Sequence, residues 1–159
     1  MKKLLCSLFA LSAVSTAMAQ EVNIKILGTS DIHGRVVPWS YGADVEDKSG
    51  SYAQIATYVK DVRKNNKNVV LVDVGDAIQD NQVDVFAKDK KYYKDHPIPK
   101  VLNEMKYDVF VLGNHEFNFG MEALDEILKD IKAKKLTANF YYKKNDKRYI
   151  DATTIIEKD

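Results

Sequence analysis

Three largely apolar runs, Val22 to Leu27, Val69 to Val74 and Tyr107 to Leu112, each give way to glycine and a crowd of polar side chains. Runs of this kind, rich in Val, Ile and Leu, read as strands of a buried parallel sheet. The stretches between them are helical in pattern. Tyr52, Ile55, Ala56, Val59 and Val62 recur at helical spacing, and Leu124, Ile127, Leu128 and Ile131 share one face of a helix expected from Met121 to Ala133. A further helix is expected around Lys100 to Met105, introduced by Pro97 and Pro99. Leu136 to Tyr142 and Tyr149 to Ile156 read as additional strands, whereas Asp80 to Lys94 is polar and ambiguous. Strand and helix in alternation specify an α/β layer fold with a mostly parallel sheet. In such sheets ligands bind beyond the carboxyl ends of the strands.

Those strand exits hold the chemistry. The first carries Asp31-Ile32-His33-Gly34, the second Gly75-Asp76, and the third Gly113-Asn114-His115-Glu116. Glycine beside each polar group allows a sharp turn and close approach of a ligand. Taken singly these are ordinary turn sequences, but three exits of one sheet would set Asp31, His33, Asp76 and Asn114 around one crevice. Oxygen and imidazole donors without thiolate suit zinc, manganese, magnesium or a similar divalent ion. A carboxylate has two oxygens, so Asp76 could bridge two ions, and ions about 3.5–4 Å apart act together on phosphate esters. Phosphoester hydrolysis is therefore the expected reaction class.

The N-terminus has a separate logic. Lys2 and Lys3 precede an apolar run from Leu4 to Val14, and Ala17-Met18-Ala19 follows. This is the pattern of a secretory signal peptide spanning residues 1–19, too short to remain as a membrane span. An exported protein, periplasmic or extracellular, with no membrane association after cleavage is expected. The one cysteine, Cys6, lies in that leader, so the mature chain would hold neither disulfides nor thiolate ligands. Of 24 basic side chains two lie in the leader, and the rest nearly balance 23 acidic ones. A surface so close to neutral gives no electrostatic case for binding nucleic-acid polymers.

"TSDIHG" (29 to 34), "VDVGDAIQDN" (72 to 81) and "GNHEFNFG" (113 to 120), in this order, resemble the calcineurin-like metallophosphoesterases. Within them they look like the exported 5'-nucleotidase and 2',3'-cyclic-nucleotide 2'-phosphodiesterase/3'-nucleotidase branch. The resemblance implies an αββα-type sandwich with two divalent ions. Asp31 and His33 would bind the first ion, Asp76 would bridge both, and Asn114 would bind the second. His115 would hydrogen-bond the phosphate or protonate the leaving oxygen, a catalytic role it would share with Asn118. At that position the 5'-nucleotidase branch typically has Asp, and Asn resembles the cyclic-phosphodiesterase branch. An amide carries no charge to stabilise an imidazolium. Glu116 reads as structural, holding the loop through backbone contacts, and His96 as a surface or helix-capping residue.

Family members add three later histidine ligands and a separate C-terminal domain that grips the nucleoside. This chain contains only His33, His96 and His115. Residues 20–159 are therefore expected to be the N-terminal part of a catalytic domain, incomplete at its C-terminal side. The expected ligand is a small-molecule nucleotide, hydrolysed with help from the missing C-terminal part or a self-associating copy. The alternatives are a 5'-nucleotidase-type phosphomonoesterase, or a non-catalytic metal-binding, phosphate-binding or interaction remnant.

Overall fold

The computed structural model describes residues 21–158, so the expected leader lies outside the described residues. The chain runs through β1 (Lys25–Thr29), a small ribbon of β2 (Trp39–Ser40) and β3 (Val45–Glu46), α1 (Tyr52–Asn65) and β4 (Val69–Asp73). It continues through α2 (Asp84–Lys88), α3 (Pro97–Glu104), β5 (Val109–Val111), α4 (Gly120–Lys129), β6 (Lys134–Leu136) and a second ribbon of β7 (Tyr141–Tyr142) and β8 (Lys147–Arg148). The main sheet has the order β1-β4-β5-β6 and is parallel throughout. Adjacent strand exits therefore lie side by side at one end, as the alternation of elements requires.

Register divides the sheet into two unequal faces. Asp73 sits opposite both Thr29 and Phe110, so Leu71, Asp73 and Phe110 share a face. All the longer helices bury onto that side, with Tyr52 and Val59 of α1, Ile98 and Leu102 of α3, and Leu124 and Ile127 of α4 in one core with Leu71 and Phe110. Each fully buried aliphatic or aromatic side chain there contributes about 1.5–3 kcal/mol by leaving water. The other face carries Ile26, Val70 and Val72, and Ile26 is 73 % exposed. The described residues thus supply one helical layer and one sheet layer of the implied sandwich.

Local chemistry sets the helix ends. Ser51 caps α1 by accepting from the Gln54 N–H, and Arg63 in its last turn donates to the carbonyls of Met105 and Lys106. His96 caps α3, with Pro97 and Pro99 in the first turn, where no intrahelical donor is lost. Asp80 to Lys94 resolves into short helical turns, two of them capped by Asp80 and Asp89. Among the described residues no helix is long and apolar enough to cross a membrane.

Three expectations change, the first being that Leu136 to Tyr142 is no single strand: Leu136 ends β6 in the main sheet and Tyr141–Tyr142 form β7 in the second ribbon, with residues 137–140 in neither. The first strand spans Lys25–Thr29 rather than Val22 to Leu27, because its partner β4 begins opposite Lys25. Tyr149 to Ile156 forms no strand. Its backbone bonds are two, from the Tyr149 N–H to the Phe140 carbonyl and from the Thr137 N–H to the Asp151 carbonyl, and Ile155 is 87 % exposed.

Candidate metal centre

Beyond the ends of β1 and β4 the two chains stay hydrogen-bonded through a tight polar cradle. The N–H groups of Asp31, His33 and Gly34 donate to the carbonyls of Gly75, Asp76 and Ala77 at 3.1, 2.9 and 3.0 Å. Asp31, His33 and Asp76 all adopt positive φ, at 55°, 48° and 58°. Side chains disfavour that conformation, so it persists only where surrounding bonds enforce it. Two glycines bring the β4 and β5 exits together. A Cβ on Gly75, whose φ is +101°, would lie 2.6 Å from Gly113 Cα, and one on Gly113 would lie 2.8 Å from the Asp76 nitrogen.

Glu116 holds this arrangement from beneath. Fully buried, it accepts from the N–H groups of Asp76 (2.8 Å), Ala77 (2.7 Å), Ile78 (3.3 Å) and Gly113 (2.7 Å). Its carboxylate serves as an internal anion for the peptide turns of two strand exits, which gives the structural role expected of it a definite form.

The cradle aims three donors at one another. Ligand atoms of Asp31, His33 and Asp76 all lie within 4.8 Å of each other. One Asp76 oxygen also accepts from the His115 N–H at 2.8 Å, which ties the third exit to the cluster. Asn114 stands exposed just before His115. The rings of His33 and His115 meet edge to face with centroids 5.2 Å apart, and Asn118 Nδ2 lies 2.9 Å from His115 Nδ1. With the amide nitrogen placed toward it, Nδ1 accepts, and a neutral His115 ring then carries its proton on Nε2.

The donor set fits a divalent ion. Two carboxylates and an imidazole converge, with His33 Nε2 3.9 Å from an Asp31 oxygen, a hard-to-borderline donor set. Asp31, His33, Asp76 and His115 thus come together from three strand exits, with Asn114 and Asn118 on the same loop as His115.

Four residues behind the cradle were not anticipated. Asp73, fully buried, accepts from the hydroxyls of Thr29 (2.7 Å) and Tyr52 (3.0 Å) and from the Gly75 N–H (3.0 Å). Thr29 spends its proton on Asp73, so it accepts from the Tyr107 hydroxyl at 3.0 Å. Burial raises the Asp73 carboxyl to about 6 despite these donors, and it raises the Tyr107 phenol to about 12. The available signal was parity, since Asp73 falls in phase with Val69 and Leu71 on the core face. His96 does cap its helix, but it is buried rather than superficial. Its Nδ1 accepts from the Ile98 N–H while Nε2 lies 3.2 Å from the Ile78 carbonyl, and burial lowers its pKa to about 4.

A parallel sheet with oxygen and imidazole donors gathered at adjacent exits defines an α/β protein with its candidate metal centre at the strand ends. Residues 24–157 match the calcineurin-like phosphoesterase family, and the chain belongs to that family, whose members use divalent metals. It is 36 % identical over 152 residues to the trifunctional nucleotide phosphoesterase protein YfkN of Bacillus subtilis, covering 88 % of this chain and 10 % of that protein. It is 34 % identical over 157 residues to the 2',3'-cyclic-nucleotide 2'-phosphodiesterase/3'-nucleotidase of Haemophilus influenzae, covering 96 % of this chain and 24 % of that one. The crystal structure of the calcineurin-like phosphoesterase YfkN from Bacillus subtilis superposes with a TM-score of 0.74 at 35 % identity, over 80 % of this chain and 40 % of that chain. The chain thus spans a quarter or less of the length of these two curated relatives.

Proposed function

We propose that this chain carries the phosphate-handling part of an exported, metal-dependent nucleotide phosphoesterase of the 2',3'-cyclic-nucleotide 2'-phosphodiesterase/3'-nucleotidase type. The observation that carries the reading is the convergence of Asp31, His33 and Asp76 within 4.8 Å, with the His115 ring beside them. The name of the Haemophilus influenzae relative and Asn118 beside His115 support the substrate type.

In this reading Asp31 and His33 hold one ion, Asp76 contributes to two, and Asn114 contributes to the second. Bound there, the ions would neutralise phosphoryl oxygens and supply a nucleophile at neutral pH. The protein's own part is positioning. Glu116 and the two glycines fix where Asp76 stands, and the His115 N–H holds one of its oxygens. With Asn118 donating to Nδ1, His115 keeps a proton on Nε2, available to a phosphoryl oxygen or to the oxygen that leaves. So small a donor set needs additional ligands for full turnover, from chain outside this sequence or from a second copy. The leader at residues 1–19 is the basis for proposing export.

The test is hydrolysis of bis(p-nitrophenyl) phosphate and a 2',3'-cyclic nucleotide by the chain, with manganese or zinc and with chelator, alongside direct measurement of metal binding. Chelator-sensitive turnover that disappears in His115→Ala is the expected result. A folded sample that neither binds manganese nor turns over either ester would overturn the reading.

A further inference from the structure

Three consecutive residues hold the turn that carries His115. The His115 N–H bonds an Asp76 oxygen, and Glu116 accepts from the N–H groups of Asp76 and Gly113. The Phe117 ring packs on Phe140, with centroids 4.5 Å apart and planes tilted by 45°. The first two holds belong to the cradle. The third comes from the base of the second ribbon, beyond β6.

That ribbon adds nothing to the main core, since residues 141–148 are all exposed. Its turn is closed by the Asn145 and Asp146 N–H groups, which donate to the Tyr142 carbonyl at 3.2 and 2.9 Å. At its base the Tyr149 N–H donates to the Phe140 carbonyl at 3.1 Å, and the two rings meet edge to face with centroids 5.4 Å apart. The Tyr149 hydroxyl bonds Asp125 of α4, the helix that follows the His115 turn. The base of the ribbon thus grips the turn at Phe117 and the next helix at Asp125. A two-stranded ribbon has little stability alone, and rings in such contacts attract one another. Ribbon and turn therefore fix each other's place. Asp31, His33 and Asp76, in contrast, are placed by backbone bonds between the first two exits and by Glu116.

We propose that Phe140 is a positioning residue for His115: through Phe117 it seats the turn on which His115 and Asn118 stand, and it does so without acting on the metal ligands. Its bearing on turnover rests on the phosphoesterase reading above, whereas the seating of the ring does not.

The experiment compares Phe140→Ala with the parent chain in three readouts: nitrogen-15 shifts of the His115 ring, manganese binding by calorimetry, and hydrolysis of bis(p-nitrophenyl) phosphate with manganese. Loss of the ring is expected to turn the Nε2–H tautomer of His115 into a mixture and to lower kcat about tenfold, with KM within about twofold. Manganese affinity should stay within about twofold, because its ligands are held from elsewhere. Phe140→Tyr keeps the ring and should restore both the tautomer and the rate. Phe140→Leu keeps an apolar body in place, which protects the fold, and should shift the tautomer in the same direction as the alanine. Tyr142→Ala removes a ring that rests on Tyr149 and should leave His115 as in the parent. An unchanged tautomer and kcat in Phe140→Ala and Phe140→Leu would overturn the proposal. A fall in manganese affinity as large as the fall in kcat would overturn it too, since the ribbon would then support the whole cradle. A tautomer that shifts in Phe140→Ala, where even the parent chain neither binds manganese nor hydrolyses the ester, would uphold the seating of His115 and overturn the phosphoesterase reading instead.

Discussion

Four carboxylates gather where β1, β4 and β5 end, and they divide into two pairs. Glu116 and Asp73 lie beneath the cradle, fully buried, their oxygens occupied by backbone N–H groups and hydroxyls. Asp31 and Asp76 lie at its mouth, with Asp31 exposed and one Asp76 oxygen held by His115. The lower pair has its hydrogen bonds met from within the protein, and the upper pair converges on His33. The same functional group thus serves as framework where the fold has claimed its lone pairs and stays available to a ligand where it has not.

The largest effect should come from breaking the lower pair. Glu116→Ala leaves the N–H groups of Asp76, Ala77, Ile78 and Gly113 buried without an acceptor, at an expected cost of about 4 kcal/mol. Urea unfolding measures it, and a loss under about 1 kcal/mol would mean that the cradle holds itself together without this anion.

Next in size is a pH effect that sets Asp73 against His96. The Asp73 carboxyl is raised to about 6 by burial, so its contribution to stability is greatest below its ordinary value near 3.8 and is lost as pH rises through 6. His96 is lowered from 6.5 to about 4, so its contribution is complete above 6.5 and is lost as pH falls toward 4. Between pH 4 and 6 the two oppose each other, each worth about 3 kcal/mol across its full range. Asp73→Asn removes one side of the balance. Its unfolding free energy should fall by about 3 kcal/mol from pH 6.5 to 4, while the parent chain stays nearly flat from these two groups. Parallel profiles for the two proteins would show that Asp73 does not titrate in this window.

The upper pair should behave in the opposite way. Asp76→Asn keeps an acceptor for the His115 N–H but removes the charge that the donor cluster depends on. Manganese affinity should weaken by about 100-fold or more, with a stability change under about 1 kcal/mol. Calorimetric titration and unfolding of the same sample separate the two. Unchanged affinity would remove Asp76 from the ligand set and erase the distinction between the pairs.

How much of this was legible in the sequence follows from the range of the interactions. The parallel sheet, its three exits and the residues on them are local patterns, because each strand's apolar run and its terminal glycine lie within about ten residues. Glu116 could be read as structural, but three of its four donors lie some forty positions earlier in the chain. Only the folded register brings them to it. Asp73 lies inside the Val69 to Val74 run and reads only as part of that strand, and its partners Thr29 and Tyr52 come from other elements. The boundaries of β1 were decided by where β4 begins, and Tyr149 to Ile156 has strand composition but pairs with no strand among the described residues. The ring contact between Phe117 and Phe140 likewise joins separate segments that only the fold brings together.

The smallest effect tests the Asn118–His115 hydrogen bond, on which the proposed proton-donor role of His115 depends. Asn118 and His115 are not buried, so Asn118→Ala should change stability by less than about 0.5 kcal/mol. What it removes is the donor that keeps Nδ1 free of a proton. Nitrogen-15 shifts of the His115 ring should report the Nε2–H tautomer in the parent chain and a mixture in the variant. Turnover of a cyclic nucleotide should fall about tenfold, at the low end for a proton donor that stays in place but loses its orientation. Asn118→Gln, whose amide is displaced by one methylene, should restore neither the tautomer nor the rate. An unaltered tautomer in Asn118→Ala together with an unaltered rate would show that the cradle alone orients His115. The carboxylate framework would then extend further toward the mouth than its hydrogen bonds indicate.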